Sequence, residues 1–357
     1  MTFYKYPSIE NSYQDEFIEK IRNRAYDKEK YMVTEKIHGS NTQITYDVFN
    51  KCITYGKRTG DIVPGRDNDG ADFLFDILEP YRDRVIQLSE YIAKSHEAFR
   101  GTEILDVTVY GEAFGGTYPH KDVELDKKAQ RIQKHVYYTP HNEWAAFDIG
   151  FTAKGVTDRR LFMSPFLFRQ LADKFNIPTA PILKITDSLD EALEYPTDGL
   201  SVVYKNYGLP PIEGNIMEGV VIKPYFKDFW IGAHRIILKN KNDKFTEKKP
   251  GIKVEVKKEI HENVLAAIDE VSKYINENRV NSALSKIPGA TIKDTGRIIG
   301  MVSKDVLSDY IKDGGGIYST LEKKDQSLVT KAMNRAVAKV VNTVMRENVE
   351  PPSSDFH

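Results

Sequence analysis

The stretch YMVTEKIHGSNTQITYDVFNKCITYGKR, residues 31 to 58, alternates β-branched and aromatic residues with polar ones in three short runs. The runs are YMVTEK, NTQITYDVF and CITYGKR, and Asn50-Lys51 between the last two is typical of a turn. Alternation with a period of two places one face of a strand in a core. The pattern therefore predicts a meander of antiparallel strands, and we expect the rest of the fold to be built around it.

Lys36 follows the first of these runs and enters a turn that contains Gly39, Ser40 and Asn41, small residues that let a phosphate approach the backbone. A lysine amine attacks phosphorus only when deprotonated, so it needs cationic groups or a metal nearby. The spacing to glycine is not specific, because it recurs at Lys57, Lys205, Lys248, Lys286, Lys293 and Lys312. Lys36 is thus either a nucleophile or a simple charge, and a lone histidine such as His38 is more often structural than catalytic.

The chain after this region mixes helical and strand patterns. Helical periodicity runs from about Ala71 to Ser95, and the strands ILDVTVYGE and EWAAFDIG follow at 104–112 and 143–150. Between these strands lies a long polar excursion from Gly115 to Pro140. This order favours an α+β fold with antiparallel sheets.

Further elements are predicted by their end signals. Ser164-Pro165 is typical of a helix start, with an N-cap followed by proline in the first turn, and that helix should end near Asn176. A second short helix is expected to begin at Ser188. The strands IMEGVVIKP, stopped by Pro224, and HRIILKNK come next.

Charge, proline and glycine coincide in EKKPGIK, residues 247 to 253, and helical periodicity dominates beyond it. We therefore predict two domains, 1–248 and 249–357. Helices are expected over roughly 254–279, 303–312 and 320–348, with KDGGG as a flexible joint before the last.

Composition is that of a globular protein, with 40% hydrophobic and 29% charged residues in 357. The polar, acidic start and the lack of a membrane-length apolar run predict no signal peptide and no membrane span, hence a cytosolic protein, or one of the host cytoplasm if it is viral. The single cysteine, Cys52, excludes an internal disulfide and a Cys-based zinc cluster and is expected to pack as a small hydrophobe. A net charge of −1 indicates that any binding of a polyanion depends on local positive charge and not on the charge of the whole chain.

Several residues after Lys36 could carry chemistry. Lys239 and Lys241 are two apart in a predicted strand, so both point to one face and suit a triphosphate, or they guard a solvated strand edge. Arg58 has the same two interpretations. Glu112 and Glu218, at strand ends beside glycines, could bind a ribose or Mg²⁺ or be surface charges.

Two spacing expectations concern the later strands. Glu218 and Lys223 are five apart, so a regular strand would put them on opposite faces, and both serve one site only if the strand bends or ends before Lys223. Phe147 is a core residue by default and a base-stacking platform in the minority interpretation. Asp148 beside it should face the other way.

Six motifs in order, EKIHGSN, KRTG, VYGE, FDI, EGVVIKP and ILKNKNDKF, together with the amino-terminal YPSIENSYQDEFIEKI, resemble the RNA ligase 2 family. These are phage-type double-stranded RNA ligases, related to the kinetoplastid RNA-editing ligases within the covalent nucleotidyltransferase superfamily. The resemblance covers about residues 4 to 247. It implies an ATP-grasp-like adenylation domain of antiparallel sheets with flanking helices, and beyond Phe245 it extends only to the presence of a small all-helical C-terminal domain.

The resemblance also implies roles, motif by motif. Lys36 would be the adenylated nucleophile, and Lys239 and Lys241 would contact the α-phosphate as further catalytic residues. Glu218 and Glu112 would serve the metal, Mg²⁺ with Mn²⁺ as a substitute. The residues that would bind the nucleotide are Glu35 through its backbone, Ile37, Asn41, Arg58, Glu112, Phe147, Glu218, Lys223, Lys239 and Lys241.

The reaction so implied is ATP-dependent sealing of a 3′-hydroxyl to a 5′-phosphate through a lysyl-AMP intermediate, with nicked duplex RNA as the partner and the protein acting as a monomer. The alternatives are a DNA ligase, a capping-type guanylyltransferase, or a non-catalytic RNA-binding protein with this fold. Thr34 departs from the family, where a basic residue precedes the glutamate, and this puts one contact of the later steps in doubt. The excursion from Gly115 to Pro140 is also larger than the family pattern.

Overall fold

The computed structural model describes residues 3–64, 71–95, 103–156, 160–245, 262–287 and 289–349. The chain divides into two compact units, Met1–Lys244 and Phe245–His357. The predicted boundary between 248 and 249 lies in 246–261, outside the described residues.

The elements alternate throughout the first unit and are helical in the second. The strands are β1 (Glu10–Asn11), β2 (Tyr31–Glu35), β3 (Ser40–Asp47), β4 (Cys52–Lys57), β5 (Gly60–Ile62), β6 (Ile104–Gly115), β7 (Asn142–Ala153), β8 (Leu161–Phe162), β9 (Ile182–Thr186), β10 (Gly219–Pro224), β11 (Trp230–Ile231), β12 (His234–Arg235) and β13 (Leu238–Lys241). The helices are α1 (Asp15–Arg22), α2 (Ala71–Leu78), α3 (Arg82–Lys94), α4 (Pro165–Lys174), α5 (Leu189–Leu193), α6 (Glu262–Ser272), α7 (Glu277–Leu284), α8 (Thr295–Lys312) and α9 (Lys323–Val349).

A five-stranded sheet in the order β1-β13-β10-β2-β9 forms one half of the first unit. One face of it is apolar and packs with the buried side chains of α1 and α5. Because residues paired across strands share a face, the β10 register places Thr34, Val221 and Lys239 together on the opposite face. This opposite face can therefore carry the polar side chains of a functional site.

A six-stranded sheet in the order β5-β4-β3-β6-β7-β8 forms the other half, and its core includes side chains from α2, α3 and α4. The predicted meander is partly wrong. Strands β3, β4 and β5 are sequential antiparallel neighbours, but β2 pairs with β10 and β9 in the other sheet. The short turn from Lys36 to Gly39 carries the chain from one sheet to the other.

The local end signals were good predictors. The Ser164 hydroxyl accepts from the Leu167 amide at 3.3 Å, and the Ser188 hydroxyl accepts from the Glu191 amide at 3.2 Å, so the predicted N-cap at Ser164 and the predicted helix start at Ser188 are both confirmed. The predicted helix from 71 to 95 is instead two helices, because Pro80 lies in a 3₁₀ turn, Glu79–Tyr81, between them. The HRIILKNK segment likewise forms two strands, β12 and β13.

Two other expectations are corrected. Cys52 does not pack as a small hydrophobe: it is exposed at the start of β4. The excursion between β6 and β7 contains no helix or strand, as expected, but its later part is not simply polar, because Ile132, Val136 and Tyr138 are buried. That buried part contacts the candidate site.

The second unit has its own hydrophobic core, formed by α6 to α9. The helix predicted over 254–279 is two helices in its described part, α6 and α7, and residues 254–261 lie outside the described chain. Helix α8 begins earlier than predicted, and α9 agrees closely. In KDGGG the three glycines 314–316 all have positive φ angles.

In the described part of the chain no helix is long and apolar enough to cross a membrane. The predicted α+β class with a helical C-terminal region is confirmed.

Candidate active site

The turn that carries Lys36 is held by hydrogen bonds from three of its backbone amides. The Lys36 amide donates to the Gly219 carbonyl at 2.9 Å, and the His38 amide donates to the Tyr138 hydroxyl at 2.9 Å. The Gly39 amide donates to the Glu112 carboxylate. Gly39 is needed for close packing here, because a Cβ atom would lie 2.1 Å from the Ala113 carbonyl oxygen.

Glu218 is buried and pairs with three basic side chains. Its carboxylate lies 2.6 Å from the Lys36 Nζ, 3.2 Å from the Lys241 Nζ and 3.5 Å from the His38 Nδ1. Burial opposes ionisation, but Lys36, Lys241 and His38 outweigh it and lower the pKa of Glu218 to about 2. The carboxylate is thus an anion at neutral pH.

Gly219 explains how Glu218 reaches this cluster. In a regular strand Glu218 would share the core face with Val220 and Ile222. Gly219 instead adopts a φ angle of 150°, and a Cβ atom there would lie 2.1 Å from the Asn240 carbonyl oxygen. The break at Gly219 sets Glu218 beside Lys241, so the alternation expected between Glu218 and Lys223 fails at the start of β10.

Glu112 approaches the same turn from the six-stranded sheet, where it is paired in register with Asn41. Burial raises the pKa of Glu112 to about 7, the Glu218 carboxylate adds to this, and Lys36 and Arg58 lower it. Arg58 is exposed, and its amide donates to the Asn41 carbonyl at 3.2 Å. The structure therefore brings Glu112, Asn41 and Arg58 to one end of the site beside Lys36.

Asp148 anchors the other end of the site. Its carboxylate accepts from the Lys223 Nζ at 2.8 Å, from the Arg235 guanidinium at 2.5 Å and from the Tyr6 hydroxyl at 2.7 Å. Despite its burial, Arg235 and Lys223 lower the pKa of Asp148 to about 2. Burial lowers the pKa of Lys223, against the attraction of Asp148.

The expectation that Asp148 faces away from Phe147 is wrong. The β6–β7 register shifts between Tyr110 and Gly111, which leaves Phe147 as an extra residue in β7. The Tyr6 ring contacts the Phe147 ring with centroids 4.9 Å apart while its hydroxyl binds Asp148, so both side chains lie on one side. Lys223 also donates to the Phe147 carbonyl at 2.9 Å.

Glu35 and Ile37 alternate with the residues that face the site. The Glu35 amide donates to the Pro181 carbonyl at 3.0 Å, and its side chain accepts from the Val202 amide at 2.8 Å, away from Lys36. Ile37 is buried. Thr34 lies on the site face, and its hydroxyl donates to the Val221 carbonyl at 3.4 Å.

Carboxylates suited to a divalent cation are few. No group of three or more histidine, cysteine, aspartate or glutamate side chains poised to hold a metal occurs in the described residues. Glu218 and Glu112 nevertheless suit Mg²⁺, which uses one or two protein carboxylates and takes its other ligands from water and substrate phosphates. The donor chemistry therefore fits a metal that arrives with a nucleotide.

Sequence reasoning missed four residues of the site. Asp148 was noted only for its direction, and Tyr6, Tyr138 and Arg235 were not considered. Their contacts join segments 87 to 142 positions apart in the chain, which no local pattern reveals. The consecutive tyrosines at 137 and 138, inside a polar excursion, were the available signal for Tyr138.

These features define an enzyme of the mixed α+β class with a lysine-centred site on two mainly antiparallel sheets, in which the short β1 pairs with β13 in parallel. A family model described as RNA ligase matches residues 29–241, more than half of the chain, and one described as T4 RNA ligase 2 C-terminal matches residues 255–339. The chain therefore belongs to the RNA ligase family, and the expected relation to RNA ligase 2 is confirmed.

Two sequence relatives are RNA-editing ligases, and one solved structure is also similar. The mitochondrial RNA-editing ligase 1 of Trypanosoma brucei brucei is 23% identical over 83% of this chain and 73% of its own length. The mitochondrial RNA-editing ligase 2 of the same organism is 24% identical over 87% of this chain and 83% of its own. A Naegleria gruberi RNA ligase, solved as a point mutant with ATP and Mn, matches with a TM-score of 0.42 and 16% identity, over 69% of this chain and 58% of that chain. The present chain thus spans less than two thirds of that solved ligase.

Proposed function

We propose that this protein is an ATP-dependent RNA ligase that joins a 3′-hydroxyl to a 5′-phosphate, preferably at a nick in duplex RNA. The observation that carries the proposal is the cluster of Lys36, Lys241 and His38 around the buried Glu218, with Glu112 across the turn. Such a cluster places an amine beside both cationic groups and metal-compatible carboxylates, which are the requirements for attack on a phosphate.

In the first step the Lys36 amine attacks the α-phosphorus of ATP. An N–P bond forms, the bond to pyrophosphate breaks, and AMP stays on the lysine. Lys239 and Lys241, which share one face of β13, would neutralise charge on the α-phosphate, and Phe147 would stack on adenine. Arg58 and Asn41 would help to seat the nucleotide at the Glu112 end.

The amine must be deprotonated when it attacks, and the Glu218 carboxylate lies 2.6 Å from the Lys36 Nζ in an ion pair. Glu218 and Glu112 are the residues that would hold Mg²⁺, and the metal would supply neutralisation of phosphate charge. In the second step AMP passes to an RNA 5′-phosphate, and in the third a neighbouring 3′-hydroxyl displaces AMP and seals the strand. Duplex RNA suits the later steps because its A-form geometry is read through shape, phosphates and 2′-hydroxyls.

Self-adenylation tests the proposal directly. The protein is first treated with pyrophosphate to remove any bound AMP, then incubated with Mg²⁺ and α-phosphate-labelled ATP and separated under denaturing conditions. We expect label on Lys36 in the wild type and none in Lys36→Ala. The matched control is Lys205→Ala, because Lys205 is an exposed lysine with the same spacing to glycine and should label normally.

The outcomes separate the alternatives. Label from GTP rather than ATP would indicate a capping-type enzyme, and faster sealing of DNA nicks than RNA nicks would indicate a DNA ligase. If the folded wild type takes no label and Lys36→Ala binds RNA as tightly as the wild type, the protein is a binding module and the proposal is wrong.

A further inference from the structure

Tyr138 is a buried side chain in the later part of the excursion, and the reaction described above does not use it. Its hydroxyl accepts a hydrogen bond of 2.9 Å from the His38 amide, two residues after Lys36. The hydroxyl therefore touches the backbone that carries the candidate nucleophile, from a part of the chain 100 positions away.

The three partners of the turn come from three different places. Gly219, which receives the Lys36 amide, belongs to the five-stranded sheet, and Glu112, which receives the Gly39 amide, belongs to the six-stranded sheet. Tyr138 receives the middle amide and belongs to neither sheet. Its hydroxyl thus restrains the turn between two points that the sheets already hold.

The segment that presents Tyr138 is itself tied down. The Asn215 side chain accepts from the Tyr137 amide at 2.9 Å and donates to the Tyr137 carbonyl at 2.7 Å, so it clamps the residue next to Tyr138 on both sides. Asn215 is buried. At the other end of the excursion the Tyr118 hydroxyl donates to the Pro210 carbonyl, which holds the excursion against the same loop.

The consequence for the site is geometric. His38 is bound through its backbone to Tyr138 and through its ring to Glu218, whose carboxylate also holds the Lys36 Nζ at 2.6 Å. Movement of the His38 backbone would shift both the amine and its carboxylate partner. A displacement of about 1 Å at a reacting group is enough to slow a chemical step on the order of 100-fold.

We propose that Tyr138 is a positioning residue for the nucleophile: its hydroxyl fixes the Lys36 turn in the geometry required for attack on the α-phosphate of ATP, and Asn215 holds Tyr138 in place. The inference rests on the proposed ligase function and deepens it, because it assigns part of the enlarged excursion to the first step. Burial, with the nearby carboxylates of Glu35, Glu218 and Glu112, raises the pKa of Tyr138, so the phenol stays neutral at ordinary pH.

The test compares Tyr138→Phe with Tyr137→Phe. Each substitution removes one hydroxyl from adjacent residues, but the Tyr137 ring lies near the Arg131 guanidinium and not at the turn. Single-turnover adenylation of pyrophosphate-treated enzyme is measured against ATP concentration, and joining of a nick whose 5′ end is already adenylated is measured in parallel. The second reaction does not need Lys36 as a nucleophile.

We expect Tyr138→Phe to lower the maximal adenylation rate roughly 10- to 100-fold, with the ATP concentration at half-maximal rate within about threefold of wild type. Joining of the pre-adenylated nick should stay within about threefold, and Tyr137→Phe should match wild type in both reactions. Asn215→Ala, which removes both bonds to Tyr137, should show the same selective loss at a smaller size.

Other results overturn the inference. If wild type is labelled and Tyr138→Phe adenylates equally fast, the hydroxyl does not position the nucleophile. An equal fall in both reactions indicates general damage to the site and also contradicts the proposal. If Tyr138→Phe does not fold, a folded Asn215→Ala with wild-type adenylation decides against it. Absence of label on the wild type, by contrast, refutes the ligase function itself.

Discussion

Glu35, the last residue of β2, and Lys36, which follows it, direct their side chains to different surroundings. Lys36 enters the site, whereas Glu35 turns its carboxylate to the Val202 amide and is almost completely buried. One of its oxygens, Oε1, has no hydrogen-bond partner among the described residues. Burial outweighs the hydrogen bonds from Ser201, Val202 and Val203 and raises the pKa of Glu35 to about 7.

This shift makes folding stability depend on pH at a single residue. In the unfolded chain the carboxyl loses its proton near the ordinary pKa of 4.5, whereas in the folded protein it keeps it to about 7. The folded state therefore binds the extra proton, and the contribution of Glu35 to stability falls as pH rises through that window and levels off above it. A shift of this size corresponds to about 3 kcal/mol.

We predict that Glu35→Gln removes this pH dependence. Urea unfolding of wild type at pH 5 and pH 8 should show a larger loss of stability with rising pH than unfolding of the variant, by about 3 kcal/mol at most. Glu194→Gln, at an exposed glutamate, is the control and should follow wild type. Equal pH slopes for wild type and Glu35→Gln would show that Glu35 titrates normally.

At the scale of elements, Asp148 shows how a bulge in β7 joins the two sheets. It lies in the six-stranded sheet and binds Lys223, which lies in the five-stranded sheet, together with the fully buried Arg235. Removing the Asp148 carboxylate would take an anionic partner from both buried cations, and Arg235 would keep its ion pair with Asp228. Loss of one member of a buried ion pair costs about 3–5 kcal/mol, far more than loss of an exposed one.

Asp148→Asn should therefore lower the free energy of unfolding by about 3–5 kcal/mol. Asp187→Asn is the matched control, because it breaks a 2.5 Å pair between Asp187 and Lys30 whose side chains are 80% and 52% exposed, and it should cost far less than Asp148→Asn. The pKa of Asp148 is lowered to about 2, so its stabilisation is present above the ordinary pKa of 3.8 and is lost as pH falls toward 2. Similar losses for both variants in urea unfolding at pH 7 would contradict this account.

The elements also show what could be predicted from the sequence. Local signals were sufficient for the N-cap at Ser164, for the helix start at Ser188 and for the placement of Lys239 and Lys241 on one strand face. Pairing partners were not, because β2 joins strands nearly 190 positions away, at Val220 to Pro224. A bulge adds one residue without changing composition, so alternation misplaced Asp148.

The residues of the candidate site also fall into those that the sequence could identify and those that it could not. Lys36, Glu112 and Glu218 were identified from motif and residue type, and the structure brings them together around one turn. Tyr138 could not be identified, since its role depends on a fold that returns the excursion to the His38 amide. Reactive residues that lie in recognisable motifs could be identified from the sequence. A residue that positions them through a long-range contact could not.

At the scale of the whole molecule, the chain comprises two units that each have a hydrophobic core. The contacts described above for Lys36 all lie in the first unit: their partners are Gly219, Glu218 and, through its neighbours, Tyr138 and Glu112. Attack on ATP should therefore need only that unit. Sealing also requires binding of RNA, a long polyanion, and we propose that the helical unit contributes part of that binding.

Deleting the residues after 250 tests whether the first unit alone is sufficient for adenylation and whether the helical unit contributes to RNA binding. The shortened chain should label Lys36 with AMP at a rate within about threefold of the full protein, because the first unit keeps its own cores. Sealing of a nicked RNA duplex should fall by roughly tenfold or more at low salt, and this deficit should narrow as salt rises, because a chain that contacts fewer phosphates binds with a weaker salt dependence. Adenylation is measured by labelled ATP and sealing by gel separation of joined strands, with full-length Lys36→Ala as the background. Unimpaired sealing by the shortened chain would place the whole RNA-binding surface in the first unit, and a folded but unlabelled shortened chain would mean that the helical unit takes part in the first step.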